Sequence, residues 1–285
     1  MDLGVCLPTT VHGAGGDQLI EYARRAERLG FASITCTDRL VYDNYDSIVA
    51  LAGAAAATER IRLVTGILLA AYRPSAVQLA KQLGSLDRLS GGRLVVGVSS
   101  GMRQDDYEVS GADYATRGRR LDTMIEELRD VWADRGEVRG VGPRPVNGDI
   151  PIWVGGTSPA ALRRAARYGI GWISPGGALP KFADLVGQLK ELWDAEGRDG
   201  SPRLGADVYV SLGPGGAEAA EDHLSDFYSF LGPVAEFLVK GAITDEQRLR
   251  DVVDGYAANG CHELMLLPCT ADPDHLDRVA EVVLS

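Results

Sequence analysis

The architecture this sequence predicts is a closed (β/α)8 TIM barrel, on three observations. Short apolar runs alternate eight times with longer segments whose apolar residues recur at helical spacing. The 285 residues suit such a barrel, which typically takes about 250. An open doubly wound sheet would carry a Gly-rich phosphate loop after its first strand, and here Pro8-Thr9-Thr10-Val11-His12 follows it instead.

The elements follow in order. Leu3 to Pro8 is too short for a helix and is closed by proline. Leu19, Ile20, Tyr22, Ala23, Ala26 and Leu29 keep helical spacing until Gly30 ends the run. Phe31 to Thr37 is the second strand, and Ser47 to Thr58 an alanine-rich helix. Ile61 to Ala70 is the third strand, and Pro74 opens a helix to Leu89 that Gly91-Gly92 stops. Arg93 to Ser99 is the fourth strand. After a helix from Arg117 to Ala133 the chain is rich in Gly and Pro up to Asp149. Strand five is Ile152–Val154 with a helix from Pro159 to Tyr168, and strand six is Gly171–Ser174 with a helix from Lys181 to Glu196. Strand seven is Asp207–Leu212, followed by helical stretches 217–240 and 245–259. Strand eight is Glu263–Leu267, and a last helix starts at Asp274. Each strand followed by a helix requires parallel pairing through crossovers. The reading is one domain over 1–285, with lid loops near 38–46, 101–116 and 213–243 above the strand ends where barrels place their chemistry.

Composition narrows the function. The net charge is −11 and no basic stripe occurs, which argues against nucleic acid as a partner. No apolar run approaches the roughly 20 residues of a membrane span. Met1-Asp2-Leu3-Gly4 does not begin a basic stretch with an apolar run behind it, so a cytoplasmic protein is expected. Cys6, Cys36, Cys261 and Cys269 lack CxxC spacing and read as buried thiols. His12, His223, His262 and His275 have no metal spacing. The charged runs 21–28 and 117–129 read as solvated helix faces.

Two segments carry more information. The first holds Ala57-Thr-Glu-Arg-Ile-Arg-Leu-Val-Thr-Gly-Ile-Leu68, then Arg73-Pro74, then Leu86-Asp-Arg-Leu-Ser-Gly-Gly-Arg-Leu-Val-Val-Gly-Val-Ser-Ser-Gly101. The second runs from Pro151-Ile-Trp-Val-Gly-Gly-Thr-Ser-Pro159 to Ile173. Together they resemble the luciferase-like monooxygenase superfamily, whose members use FMN or the deazaflavin F420. The resemblance covers nearly the whole chain and weakens after Gly213.

That resemblance implies a set of site residues. Thr65-Gly66-Ile67 would form a bulge with a non-proline cis peptide that backs one face of the flavin ring. Gly155-Gly156-Thr157 would receive the cofactor phosphate, in keeping with the Ser158 cap, Pro159 and the dipole of the helix that follows. Ser100 and Gly101 would let the ribityl chain pass close, with Ser100 standing where some FMN members carry a phosphate-binding Arg. Asp38 would accept a hydrogen bond from the ring in the deazaflavin pattern. Arg39 replaces the histidine common beside it and has no accessible base form, so it would anchor a substrate anion or stabilise developing oxygen charge. Some F420-dependent sugar-phosphate dehydrogenases carry an acid at the position of Met102, which is missing here. Asp38 and Arg39 are therefore the catalytic candidates, with an Asp38–Arg39 rim pair as the plain alternative. Tyr42, Tyr45, Tyr72 and Tyr107 could line a pocket or donate protons. The expected activity is an F420-dependent oxidoreductase acting on a small organic molecule. The alternatives are an FMN-dependent monooxygenase and a flavin-binding barrel without turnover. A homodimer through the alanine-rich helix is also expected.

Overall fold

The computed structural model describes residues 1–175 and 179–284. Its eight parallel strands close in sequence order: β1 (Asp2–Cys6), β2 (Ser33–Cys36), β3 (Arg62–Leu69), β4 (Leu94–Ser99), β5 (Ile152–Gly155), β6 (Gly171–Ser174), β7 (Arg203–Val210) and β8 (Glu263–Pro268). Around them run α1 (Gly16–Leu29), α2 (Ser47–Ala57), α3 (Ala76–Ser90), α4 (Gln104–Ser110), α5 (Arg117–Trp132), α6 (Pro159–Tyr168), α7 (Leu179–Ala195), α8 (Gly216–Phe227), α9 (Ala235–Gly241), α10 (Glu246–Ala258) and α11 (Pro273–Val283).

Both faces of the strands are covered, so they read as near-continuous apolar runs. Cys6, Trp153, Ile173, Met265 and Leu267 fill the lumen together with Ile67, Val95 and Tyr209. Val5, Ile34, Leu63, Val96, Val154, Leu264 and Leu266 belong to the larger core that the helices complete. Local signals set the boundaries. Asp46, Ser75, Ser158, Asp245 and Asp272 cap α2, α3, α6, α10 and α11 with side-chain oxygens. Gly30 and Gly91 end α1 and α3 in the left-handed conformation. The small residues of α2 let it lie close against α1 and α3, and Val49 is left exposed on its outer face.

The structure departs from the sequence reading in four places. Strand seven begins at Arg203, four residues before the expected Asp207. Gly205 hid it, because that glycine supplies no apolar signal and a Cβ there would run into the Trp153 ring. The loop 101–116 contains α4 and a 3₁₀ turn, Tyr114–Thr116. The stretch 217–240 is not one helix. A 3₁₀ turn, Ser229–Val234, divides α8 from α9, where Gly232 takes φ 55° and Pro233 follows. The two charged runs are also more than solvated faces. Glu27 accepts the amide hydrogens of Glu59, Arg60 and Ile61 (2.6–3.0 Å to Oε1), which fixes the entry to β3. Arg129 donates to the Tyr168 carbonyl at 2.6 Å.

Candidate active site

Asp38 follows β2 at the C-terminal end of the barrel and is buried. One carboxylate oxygen accepts from Ser47 Oγ (3.1 Å) and Arg73 Nη2 (3.0 Å), the other from the Leu69 amide (3.0 Å) and the Tyr72 hydroxyl (3.0 Å). A carboxylate offers about four acceptor positions, and all of them are taken. Asp38 thus joins β2, the end of β3, α2 and the 3₁₀ turn Ala70–Tyr72. Arg120 of α5 holds that turn from behind, donating to the carbonyls of Ala71 and Arg73 at 2.7 Å each. Burial raises the Tyr72 phenol and the Asp38 charge beside it adds to the effect. For Arg73, burial alone would lower the guanidinium, but Asp38, Tyr72 and Asp46 outweigh it and hold it above its ordinary value. The geometry gives Asp38 a positioning role and leaves it no free lone pair for a ring. It also removes the Asp38–Arg39 pair, because Arg73 is the cation that meets Asp38.

Arg39 turns the other way and is 8% exposed. Its guanidinium carbon lies 4.7, 5.2 and 5.4 Å from the ring centres of Phe227, Phe230 and Tyr42. Nη1 donates to the Phe227 carbonyl at 3.4 Å, while Nε and Nη2 have no partner among the described residues. Burial lowers its pKa, and the neighbouring Arg103 lowers it further.

The expected cofactor segments converge at the same end of the barrel. The register of β3 against β4 shifts between Thr65 and Leu68, and the peptide joining Gly66 to Ile67 is cis. Thr65 is fully buried and its hydroxyl donates to the Gly97 carbonyl at 2.8 Å, so it holds the bulge from within. A side chain at Gly66 would strike Thr35 Oγ1. The Ile67 side chain reaches across to Gly155, where a Cβ would overlap its Cδ1, which brings segments 65–67 and 155–157 into contact. Gly101 has φ 69° and lies against Leu69, while the Ser100 carbonyl accepts from Tyr107 Oη. Gly156 also has a positive φ, 120°, and its carbonyl accepts from Trp172 Nε1 at 2.7 Å. Thr157 is half-buried at the start of α6. This helix end offers fewer donors than the sequence implied. Pro159 has no N–H, and the Ala161 amide already bonds Ser158 Oγ at 3.2 Å. Thr157, Ser158 and Ala160 provide the remaining amides.

The four tyrosine hydroxyls are committed to protein partners. Tyr72 donates to Asp38, Tyr107 to Ser100, Tyr42 to Asp226 (2.6 Å) and Tyr45 to the Ala14 carbonyl (3.1 Å). Other groups at this end escaped the sequence reading. Tyr209 and Tyr228 hydroxyls lie 2.9 Å apart, and Tyr209 borders the lumen. Burial pushes both phenols up, that of Tyr228 to about 12. His223 of α8 is buried against Phe227 with neither ring nitrogen partnered among the described residues, and burial lowers it to about 4. Asp106 accepts the Leu40 and Val41 amides on one oxygen (3.1 and 2.7 Å), and its other oxygen is buried without a partner among the described residues. The aromatic run Phe227-Tyr228-Ser229-Phe230 is the one local feature of the sequence that marks this region.

Among the described residues no helix is long and apolar enough to cross a membrane, and no group of three or more His, Cys, Asp or Glu side chains could hold a metal ion.

Comparison with known proteins gives this end of the barrel its context. An uncharacterised protein of Mycobacterium tuberculosis is 33% identical over 211 residues, covering 63% of this chain and 72% of its own length. An F420-dependent glucose-6-phosphate dehydrogenase of Kribbella flavida is 29% identical over 183 residues, 57% of this chain and 54% of the enzyme. The fold also superposes on an F420-dependent secondary alcohol dehydrogenase solved with an F420–acetone adduct, with a TM-score of 0.85 at 17% identity over 99% of this chain and 98% of that one. The family model described as luciferase-like monooxygenase matches residues 1–261, and the chain belongs to that family.

Proposed function

We propose that the chain is an F420-dependent oxidoreductase that transfers a hydride between the deazaflavin and a small organic substrate at the C-terminal mouth of the barrel. One observation carries the reading: segments 65–67, 99–101 and 155–157, far apart in sequence, meet at one end, with Ile67 seated on Gly155. The residues fit the cofactor. A flat ring needs apolar backing, which Ile67 and the lumen side chains around it supply. A phosphate needs donors and a positive helix end, which the amides of Thr157, Ser158 and Ala160 at α6 provide. The Ser100 hydroxyl has no partner among the described residues and suits the polar chain between ring and phosphate.

When bound, F420 supplies a ring carbon that accepts or returns hydride. The protein's part is to place the substrate and handle its proton. Arg39 cannot act as a base at neutral pH. In the Tyr209–Tyr228 pair one hydroxyl donates to the other, which leaves one O–H beside the lumen to hydrogen-bond a substrate oxygen. Asp38 positions β2, β3 and the 3₁₀ turn behind the site without touching either ligand.

The preference for F420 rests on Ser100, in place of an FMN-type arginine, and on the Kribbella relative. Asp38 no longer contributes to it, because its oxygens are occupied. FMN-dependent monooxygenation is the second reading, favoured by the family's description. Side-by-side titration by fluorescence quenching separates them. F420 is expected to bind more tightly, and tenfold tighter binding of FMN would overturn the proposal. A homodimer through the outer face of α2, around Val49, belongs to the same proposal and would show in sedimentation.

A further inference from the structure

The fork that Arg39 leaves open identifies a substrate class. We infer that the Nε–Nη2 edge of Arg39 binds the carboxylate of a small monoanionic substrate whose organic part lies against Tyr42, Phe227 and Phe230. The inference rests on reading the mouth as the reaction site and goes beyond it in naming what is bound.

Three observations support it. First, Nε and Nη2 form the side edge of the guanidinium, and these are the two nitrogens without a partner, while Nη1 is held by the Phe227 carbonyl. Two parallel N–H groups on one planar edge match two oxygens of one carboxylate. Second, the guanidinium is nine-tenths buried and forms no ion pair among the described residues. Buried charges are otherwise paired, so the arrangement is complete only with an anion from outside.

Third, the surrounding charges select the anion. Arg103 sits 4.4 Å from the ring centre of Phe230, on the same aromatic wall, but Asp105 takes its Nε at 2.8 Å and also bonds its Nη2. Asp106 stands nearby with one oxygen on the Leu40 and Val41 amides. Arg103 and Asp105 neutralise one another, and Arg39 keeps an open hydrogen-bonding edge with the negative charge of Asp106 close by, which opposes a multiply charged ligand. A carboxylate matches the two N–H groups of the edge and meets less of that repulsion than a phosphate dianion does. Nε and Nη2 are buried beside the rings of Tyr42, Phe227 and Phe230, so a carboxylate that reaches them packs its organic part on that wall.

The test is calorimetric titration of the cofactor-free chain with benzoate, benzamide and inorganic phosphate, repeated on Arg39→Lys and Arg39→Gln. Circular dichroism melts establish that the variants are folded, and separate F420 titrations accompany each. Benzoate is expected to bind the parent more tightly than benzamide or phosphate. Arg39→Gln should weaken it about ten- to a hundredfold, the range of one lost charge-assisted hydrogen bond, and Arg39→Lys should recover part of that. F420 affinity should stay within about twofold of the parent throughout, a small change on a scale where 1.4 kcal/mol is tenfold. No benzoate binding, equal binding of benzamide, tighter binding of phosphate, or an unchanged benzoate affinity in folded Arg39→Gln would each overturn the inference. So would a parallel loss of F420 affinity, which would assign Arg39 to the cofactor's own anionic groups. Failure of F420 to bind the parent would count against the proposed function alone, because the benzoate arm contains no cofactor.

Discussion

The two ends of this barrel treat charge in opposite ways. At the N-terminal floor, Glu263 is almost fully buried and accepts from Ser33 Oγ (2.5 Å), Arg62 Nη2 (2.8 Å) and Arg203 Nη2 (3.3 Å). Asp2 accepts from the same two arginines at 2.9 and 2.7 Å. Two carboxylates and two guanidiniums close on one another across β1, β3, β7 and β8. Burial pushes Asp2 up, but the two arginines outweigh it and hold its pKa below the ordinary value. At the mouth, Arg39 keeps an open edge, and Asp106, Ser211 and His223 bury polar atoms that no described residue satisfies. A closed set of charges serves stability, while an open set has partners still to come. This follows the division of labour that barrels show between their two faces.

The largest expected effect lies at the floor. Glu263→Ala removes the buried acceptor shared by Ser33, Arg62 and Arg203, and although both guanidiniums keep Asp2 and are about one-third exposed, losing three hydrogen bonds to one charged group should cost about 3 kcal/mol. Denaturant unfolding should show that loss, with F420 affinity unchanged under native conditions. Equal stability would mean the floor network is ornamental and the contrast false. Next comes Asp38→Asn, which sets an amide among four donors. A loss of about 2 kcal/mol is expected, together with slower turnover, because the 3₁₀ turn and the end of β3 lose their shared anchor. Slower turnover at parent stability would return Asp38 to direct contact with the ligands.

The third prediction concerns pH. His223 and His275 are both lowered to about 4 by burial, against an unfolded value near 6.5. Above pH 6.5 both are neutral folded or unfolded, so their contribution is complete. As pH falls from 6.5 toward 4 the unfolded chain takes up protons first, and stability declines. His223→Phe keeps the stacking on Phe227 and should remove up to about 2 kcal/mol of that decline at pH 5. An unaltered pH profile would mean that His223 is solvated. The smallest expected change is the stability of Arg39→Met. Arg39 forms no direct ion pair among the described residues, so the variant should unfold within about 1 kcal/mol of the parent, in contrast to Glu263→Ala.

The fold was legible because its signals are local. Alternating apolar runs, Pro159 after Ser158, and the glycines at 30 and 91 fix elements through neighbours a few residues away. The site was legible in part. Segments 65–67 and 155–157 were marked by motif, but not their contact, since Ile67 and Gly155 are 88 residues apart in the chain. Arg73-Pro74 stood out in the sequence, yet nothing local reveals that Arg73, 35 residues on, fills one of the Asp38 lone pairs. The cage around Arg39 needs Phe227, 188 positions away. Pairings over such distances come from barrel closure and leave no periodic trace.

Amide hydrogen exchange on the chain with and without F420 compares the two ends directly. The account predicts slowed exchange on loading at Ile67–Leu69, Ser99–Gly101 and the N-terminal end of α6, namely Thr157, Ser158 and Ala160. The amides of β1 and β8 at the floor, around Asp2 and Glu263, should not change. Protection centred on the floor, or none at the mouth while F420 is bound, would contradict it.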